Sequence, residues 1–208
     1  MLLSELLGAV EVSARSGDPD IIVNGITYDS RQVEQGFVFV AVKGFKHDGH
    51  DFITRAVEQG AVAVVMERRV EVPSGIAWAV VSDSRQALAL LSARFFDYPS
   101  LKMKMFGVTG TNGKTTTTNL LAEVLKAAGE KVGLIGTVHN MIGEQVLPVR
   151  HTTPESTDLQ KLLRDMVMEG VHSCVMEVSS HALALNRVDG CEFDVAIYTN
   201  LTQDHLDF

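Results

Sequence analysis

The chain is predicted to be an α/β protein, with a small N-terminal α/β domain followed by a phosphate-loop domain built on a parallel sheet. Three observations predict this. Runs of β-branched and aromatic residues alternate with helix-like stretches along the whole length. A glycine-rich loop containing a lysine, at 107–117, stands between an apolar run and a helical one. The apolar runs, such as Ala61–Met66, are short and continuous, like strands buried on both faces. They fall far below the roughly 18 residues that a membrane-spanning helix needs.

The elements follow in order. Residues 23–28 and 37–42 are short β-rich runs separated by a polar turn containing glycine. Residues 51–59 read as a helix with Gly60 as its C-cap. Ala61–Met66 and 76–81 read as buried strands. Asp83 is placed to cap a helix over 84–96, in which Ala87, Leu88, Leu91 and Phe95 share a face. The run Asp97-Tyr98-Pro99-Ser100 stops that helix and sets the predicted division into domains 1–98 and 99–208. Beyond it come a strand at 104–108, a helix at 114–128, a strand at 131–135, a helix at 156–169 and strands at 173–176 and 194–198. Met103, Met105 and Cys174 read as packing residues. The last strand runs into a polar loop with no closing helix, so the chain is expected to be the front part of a longer protein, its second domain incomplete.

Composition excludes several classes of function. The 208 residues are 46% hydrophobic and 21% charged, which argues against disorder. With 18 basic and 26 acidic residues the net charge is −8, and no basic block stands out. Non-specific binding to nucleic acid or to an anionic membrane lacks the positive field it requires. The N-terminus carries Glu5 and no basic flank, unlike a signal peptide. Two cysteines, Cys174 and Cys191, make neither a disulfide framework nor a four-cysteine zinc site. These features predict a cytoplasmic protein with no membrane insertion.

The strongest chemical signal is Gly110-Thr111-Asn112-Gly113-Lys114-Thr115-Thr116, between a strand and a helix. The glycines let the backbone wrap a phosphate, and the helix that follows aims free N–H groups and its dipole at the charge. Lys114 would neutralise phosphate oxygens and the Thr115 hydroxyl would ligand Mg²⁺. Valine at 108 replaces the first glycine of the common G-x-x-x-x-G-K-[ST] form, so the working pattern is G-x-x-G-K-T. These residues predict an ATP site. Such a loop needs an acidic partner at a neighbouring strand end, and Glu177, ending an apolar run, is the candidate. A glutamate ending a strand can equally be a solvated residue.

With GTNGKTTT, HTTPES at 151–156, EVSSHALALNR at 177–187 and TNLTQDHLDF at 199–208, the sequence resembles the Mur ligase family. TYDSR, FVFVAVKG and DGHDFI in the N-terminal half resemble the branch that adds the third residue of the peptidoglycan stem peptide. The resemblance implies a UDP-sugar-binding domain and a central ATPase domain. It further implies a reaction in which ATP phosphorylates the D-glutamate carboxylate of UDP-N-acetylmuramoyl-L-alanyl-D-glutamate. A diamino acid, meso-diaminopimelate or L-lysine, then attacks the acyl phosphate. Carried over by residue, Tyr28, Ser30, Phe45, Lys46 and His47 fall at the UDP-sugar end. His151, Thr152, Thr153, Ser179 and Arg187 fall at the peptide end. Arginine suits that role because its planar fork grips carboxylate or diphosphate. Glu177 and His205 match magnesium ligands beside Thr115, with Lys114, Glu177 and His205 as the catalytic set. His205 rests on the resemblance alone, since Mg²⁺ prefers oxygen.

Two departures accompany the resemblance. Leucine stands at 185 where some relatives have glutamine, and the family's carbamylated lysine would lie beyond Phe208, so the 208 residues are expected to bind substrates without full turnover. Other Mur-type or folylpolyglutamate-type ligases, a non-catalytic ATP-binding module and a small-molecule kinase are the alternatives. His50, a neighbour of the 45–47 stretch, reads as a solvated loop histidine or a further contact. Ser156 reads as an N-cap for the helix behind the threonine pair.

Overall fold

The structure, a computed structural model, describes residues 1–149 and 151–202. The chain divides into two compact units, one of Met1–Phe95 and one beginning at Phe96.

The first unit comprises α1 (Leu3–Leu7), β1 (Ala14–Ser16), β2 (Gly25–Thr27), β3 (Phe37–Val40), α2 (Ile53–Glu58), β4 (Ala61–Met66), β5 (Ala77–Val80) and α3 (Ser84–Phe95). Its five-stranded sheet has the order β1-β5-β4-β3-β2. Strands β2 to β5 are parallel, and β1 closes one edge antiparallel to β5. The β-branched runs bury because both faces are covered, with Phe39, Val64 and Met66 packed against Ile53 and Ala56 of α2. Asp83 caps α3 as its position predicts, its carboxylate accepting from the N–H groups of Arg85 (2.8 Å) and Gln86 (3.0 Å). The helix predicted over 51–59 is shorter than expected. Asp48 turns the chain by accepting from the His50 N–H, a 3₁₀ turn occupies Gly49–Phe52, and α-geometry starts only at Ile53. Gly60 follows with φ of +110°. The short elements α1 and β1 carried no periodic signal.

The second unit comprises β6 (Lys104–Thr109), α4 (Lys114–Ala127), β7 (Val132–Ile135), β8 (Asn140–Ile142), β9 (Gln145–Leu147), α5 (Ser156–Met168), β10 (Ser173–Glu177), α6 (Ser180–Ala184) and β11 (Val195–Tyr198). The six strands run β11-β6-β10-β7-β8-β9. The first four are parallel, as expected. The sequence reading missed β8 and β9, three-residue strands that extend the sheet antiparallel. Met103, Met105 and Cys174 lie in the core with Leu159, Leu163 and Met166 of α5.

This topology creates the site. Because β6, β7, β10 and β11 are parallel, the loops leaving their carboxyl ends emerge on one edge of the sheet. Four chain segments far apart in sequence, at 110–113, 136–139, 178–179 and 199–202, therefore gather there.

Candidate active site

The glycine-rich loop leaves β6 and enters α4 at Lys114, with Gly110 and Gly113 both at positive φ (+132° and +84°). Its packing explains why glycine is needed at 110. A Cβ there would stand 2.2 Å from Thr199 Oγ1 and 2.8 Å from the Asn200 carbonyl. The strand-end segment 199–202 laces the loop: the Thr111 and Asn112 N–H groups donate to the Asn200 carbonyl and Oδ1, each at 3.0 Å. The hydroxyl of Thr199 donates to the Asn112 carbonyl at 2.7 Å. Two of the N–H groups predicted to cradle phosphate are thus already committed, which leaves Gly113, the N-cap of α4, and the first turn at Lys114 to Thr116 as the source of donors. Lys114 Nζ meanwhile donates to the carbonyls of Gly110 (2.6 Å) and Thr111 (3.1 Å), inside the loop it would serve.

Glu177 ends β10 beside this loop, in register with Val108 of β6. It is buried, at 1% exposure, and neutral donors surround it. The N–H of Thr137, just past β7, donates to Oε1 at 2.9 Å. The hydroxyls of Thr115 and Thr137 donate to Oε2 at 3.0 and 3.1 Å. Space for the carboxylate exists because residue 136 is glycine, where a Cβ would lie 2.5 Å from Oε1. Among the described residues no salt bridge reaches this carboxylate. Buried negative charge without a basic partner, next to a hydroxyl on a phosphate loop, is a donor set suited to a hard divalent cation. Among the described residues no three His, Cys, Asp or Glu side chains are grouped so as to hold a metal ion by themselves. A cation here would rest on Glu177, Thr115 and oxygens of its ligand.

The threonine pair joins the same cluster. Thr153 is buried and its hydroxyl donates to the Glu177 carbonyl at 2.9 Å, while accepting from the Ser179 N–H at 3.2 Å. Thr152 Oγ1 lies 3.1 Å from Thr137 Oγ1. Ser179 caps α6 through the Ala182 N–H at 3.2 Å. Arg187 uses its guanidinium inside the protein: Nη1 donates to the Thr153 carbonyl at 3.1 Å and Nη2 pairs with Glu155 at 2.6 Å. Glu155, not Ser156, occupies the cap position of α5, and Ser156 is the buried first helical residue. The Glu155 side chain makes no capping bond and pairs with Arg187 instead. Sequence reasoning missed Thr137, Glu155 and the 199–200 pair. Thr137, directly after an apolar strand parallel to the phosphate-loop strand, is the one that position could have revealed. His151 is an exposed residue of the same segment, and His205 lies outside the described residues.

The candidate residues of the first unit form separate loops. Tyr28 and Ser30 flank Asp29, whose carboxylate the Arg31 side chain holds below its ordinary 3.8 with a two-pronged grip at 2.9 and 2.7 Å. Phe45, Lys46 and His47 are exposed on a tight turn closed by the Gly44 N–H donating to the His47 carbonyl at 2.9 Å. Arg85 lies 5.7 Å over the Phe45 ring. His50 is not solvated. Its side chain is 2% exposed, and Nε2 accepts from the N–H groups of Glu67 (3.2 Å) and Arg68 (3.4 Å). Nε2 therefore carries the lone pair, and Nδ1 donates to Asp48 at 2.6 Å. The His50 backbone N–H, the His50 ring and Arg68 hold the Asp48 carboxyl well below its ordinary value. Among the described residues no helix is long and apolar enough to cross a membrane.

Known proteins resemble the chain in sequence and fold. The Mur ligase middle-domain pattern matches residues 108–208, and the Mur ligase family catalytic-domain pattern matches 22–96. A UDP-N-acetylmuramoyl-L-alanyl-D-glutamate–2,6-diaminopimelate ligase of Caldanaerobacter subterraneus subsp. tengcongensis is 49% identical over 208 residues, covering 100% of this chain and 43% of its own length. The ligase of the same description from Geobacillus thermodenitrificans is 53% identical over 194 residues, covering 93% of this chain and 39% of its own. A solved UDP-N-acetylmuramoyl-L-alanyl-D-glutamate–2,6-diaminopimelate ligase superposes with a TM-score of 0.83 at 31% identity, over 99% of this chain and 41% of its own. The MurF ligase of Thermotoga maritima in complex with ADP superposes at 0.57 with 27% identity, over 87% of this chain and 38% of its own. The chain thus spans about two-fifths of the length of the curated relatives it matches. Two adjoining family patterns, relatives aligned from end to end of this chain and a shared fold lead to one conclusion: the chain belongs to the Mur ligase family.

Proposed function

We propose that the chain is the substrate- and ATP-binding part of a ligase that adds a diamino acid to UDP-N-acetylmuramoyl-L-alanyl-D-glutamate in peptidoglycan synthesis, in the cytoplasm. The observation that carries the reading is the 3.0 Å bond from Thr115, at the head of α4, to the buried carboxylate of Glu177. It ties a phosphate loop to a strand-end acid, with the Thr152–Thr153 pair bonded to the same cluster. The relatives' printed activity supplies the substrate class, with 2,6-diaminopimelate as the diamino acid.

In this reading residues 99–208 bind ATP and the peptide end of the substrate, and residues 1–98 bind the UDP end through Tyr28, Ser30, Phe45, Lys46 and His47. The N–H groups at the head of α4 bind phosphate oxygens, and Lys114 exchanges its two loop carbonyls for them. Mg²⁺, when bound through Thr115, Glu177 and by family likeness His205, supplies charge neutralisation for phosphoryl transfer. Thr152, Ser179 and His151 orient the D-glutamate carboxylate, and Thr153, buried with its hydroxyl bonded to the Glu177 carbonyl and the Ser179 N–H, acts by holding the ends of β10 and α6 against that segment. Arg187 acts by holding the 153–155 backbone, since its guanidinium is engaged there. The γ-phosphoryl group passes to that carboxylate and ADP leaves. An amine then attacks the acyl carbon, expels phosphate and gives up a proton as the amide forms. Phosphorylation both removes the carboxylate charge and supplies a leaving group.

Titration of the chain with ADP and Mg²⁺ tests the nucleotide half of the reading. The wild type should bind saturably. Lys114→Ala should lose at least about tenfold in affinity, as expected for a charge-assisted contact. Its melting temperature should stay within a few degrees, because the side chain lies in a surface loop and not in the core. Unchanged affinity would refute the assignment of Lys114.

A further inference from the structure

Thr137 is an exposed residue whose side chain nevertheless touches a carboxylate that is 1% exposed. Counting protons fixes the direction of its bonds. An ionised carboxylate only accepts, and a threonine hydroxyl has one proton to give. The Thr137 hydroxyl, 3.1 Å from Glu177 Oε2, spends its proton there. The Thr152 hydroxyl, also 3.1 Å from Thr137 Oγ1, must then be the donor of that contact. The result is a one-way chain, Thr152 to Thr137 to Glu177, joining the threonine pair to the acid beside the phosphate loop. The Thr137 N–H adds a bond to the other carboxylate oxygen at 2.9 Å, so one residue clasps both oxygens.

We infer that Thr137 is a positioning residue that fixes the Glu177 carboxylate for a divalent cation and couples it to Thr152. The inference rests on the proposed nucleotide site. With Thr115 and Thr137 both donating to it, Oε2 has little rotational freedom, so cation binding does not have to order the side chain. The link to Thr152 gives the two regions a shared free energy. A ligand that engages the Thr152 hydroxyl alters the donor on which Thr137 depends, and by reciprocity the cation alters the affinity for that ligand.

The test is calorimetric titration of the chain with ADP, once with Mg²⁺ and once with EDTA. The ratio of the two affinities isolates the part that depends on the cation. Thr137→Val removes the hydroxyl and keeps the N–H, and it should lower that ratio about tenfold, the scale of a hydrogen bond to a charged group. Thr137→Ser should keep the wild-type ratio. Thr152→Val should lower the ratio by a smaller factor, and adding it to Thr137→Val should change nothing further, because the chain is already cut. Affinity in EDTA should be the same in all variants. Retention of the ratio by Thr137→Val overturns the inference, as does a loss of equal size in EDTA, which would mark the hydroxyl as support for the loop. Failure of Thr137→Ser to rescue also overturns it. A folded wild-type chain that binds no ADP overturns the underlying nucleotide reading and this inference with it.

Discussion

Glu177 is buried because the residues around it are small or carry hydroxyls. Gly136 leaves room for Oε1, and Thr115 and Thr137 supply the donors. Gly136→Ala would put a methyl group 2.5 Å from Oε1, forcing the carboxylate out of its clasp. The expected outcome is a loss of about tenfold in Mg²⁺-dependent ADP affinity with an unchanged circular-dichroism spectrum, on the scale of hydrogen bonds to a charged group. Burial pushes the Cys174 thiol far up, and it pushes the Cys191 thiol up to about 12. Neither forms appreciable thiolate near pH 8, so a thiol reagent should react slowly with the native chain and rapidly once denaturant is added. Cys174 is buried and Cys191 half-buried, and fast labelling of Cys174 in the native chain would contradict its place in the core. Residue types and spacing made Lys114, Thr115 and Glu177 legible in the sequence. Thr137 was legible only as the residue after an apolar strand, because its bond to Glu177 depends on β7 and β10 lying side by side. The burial of His50 was hidden for the same reason, since its partners Glu67 and Arg68 come from the far end of β4.

In the second unit α5 packs against one core cluster and α4 against another. Leu159, Leu163 and Met166 of α5 are fully buried against β10 and its neighbours. Leu163→Ala should cost about 2–5 kcal/mol by removing packed methyl groups and leaving a cavity, measurable as a lower urea midpoint. A cost below about 1 kcal/mol would contradict the packing of α5. At the phosphate loop Gly110→Ala fails twice, by its φ of +132° and by the contact with Thr199. It should abolish nucleotide binding and lower the melting temperature, whereas an alanine variant that still binds ADP would show that segment 199–200 does not shape the loop. Helix α3 was legible because Asp83 and a single apolar face announce it. Strands β8 and β9, with three residues each, offer too short a pattern for alternation to register. The cap of α5 was misassigned to Ser156 because the ion pair that holds Glu155 comes from Arg187, remote in sequence.

At the scale of the molecule, the fold class was legible from the alternation of strand and helix signals, and the gathering of the site follows from parallel strands sharing a carboxyl edge. The strand order was not legible, because nothing in the spacing places β10 between β6 and β7. Acid sensitivity is also a property of the whole chain. Asp48 is held low chiefly by the His50 N–H, and Asp29 chiefly by the Arg31 side chain. Both carboxyls lie lower in the folded than in the unfolded state. Their stabilisation is therefore present above about pH 4 and is lost as pH falls through the folded values. The urea midpoint of the wild type should drop more steeply below pH 4 than that of Asp48→Asn, and parallel curves would contradict the pairing.

Calorimetric titration of the chain with UDP-N-acetylmuramoyl-L-alanyl-D-glutamate, with Ser30→Ala as the control, decides whether the chain binds the UDP-linked dipeptide precursor as proposed. The wild type should bind saturably and the variant more weakly. A folded chain that binds ADP with Mg²⁺ but shows no saturable binding of this precursor would contradict the proposal.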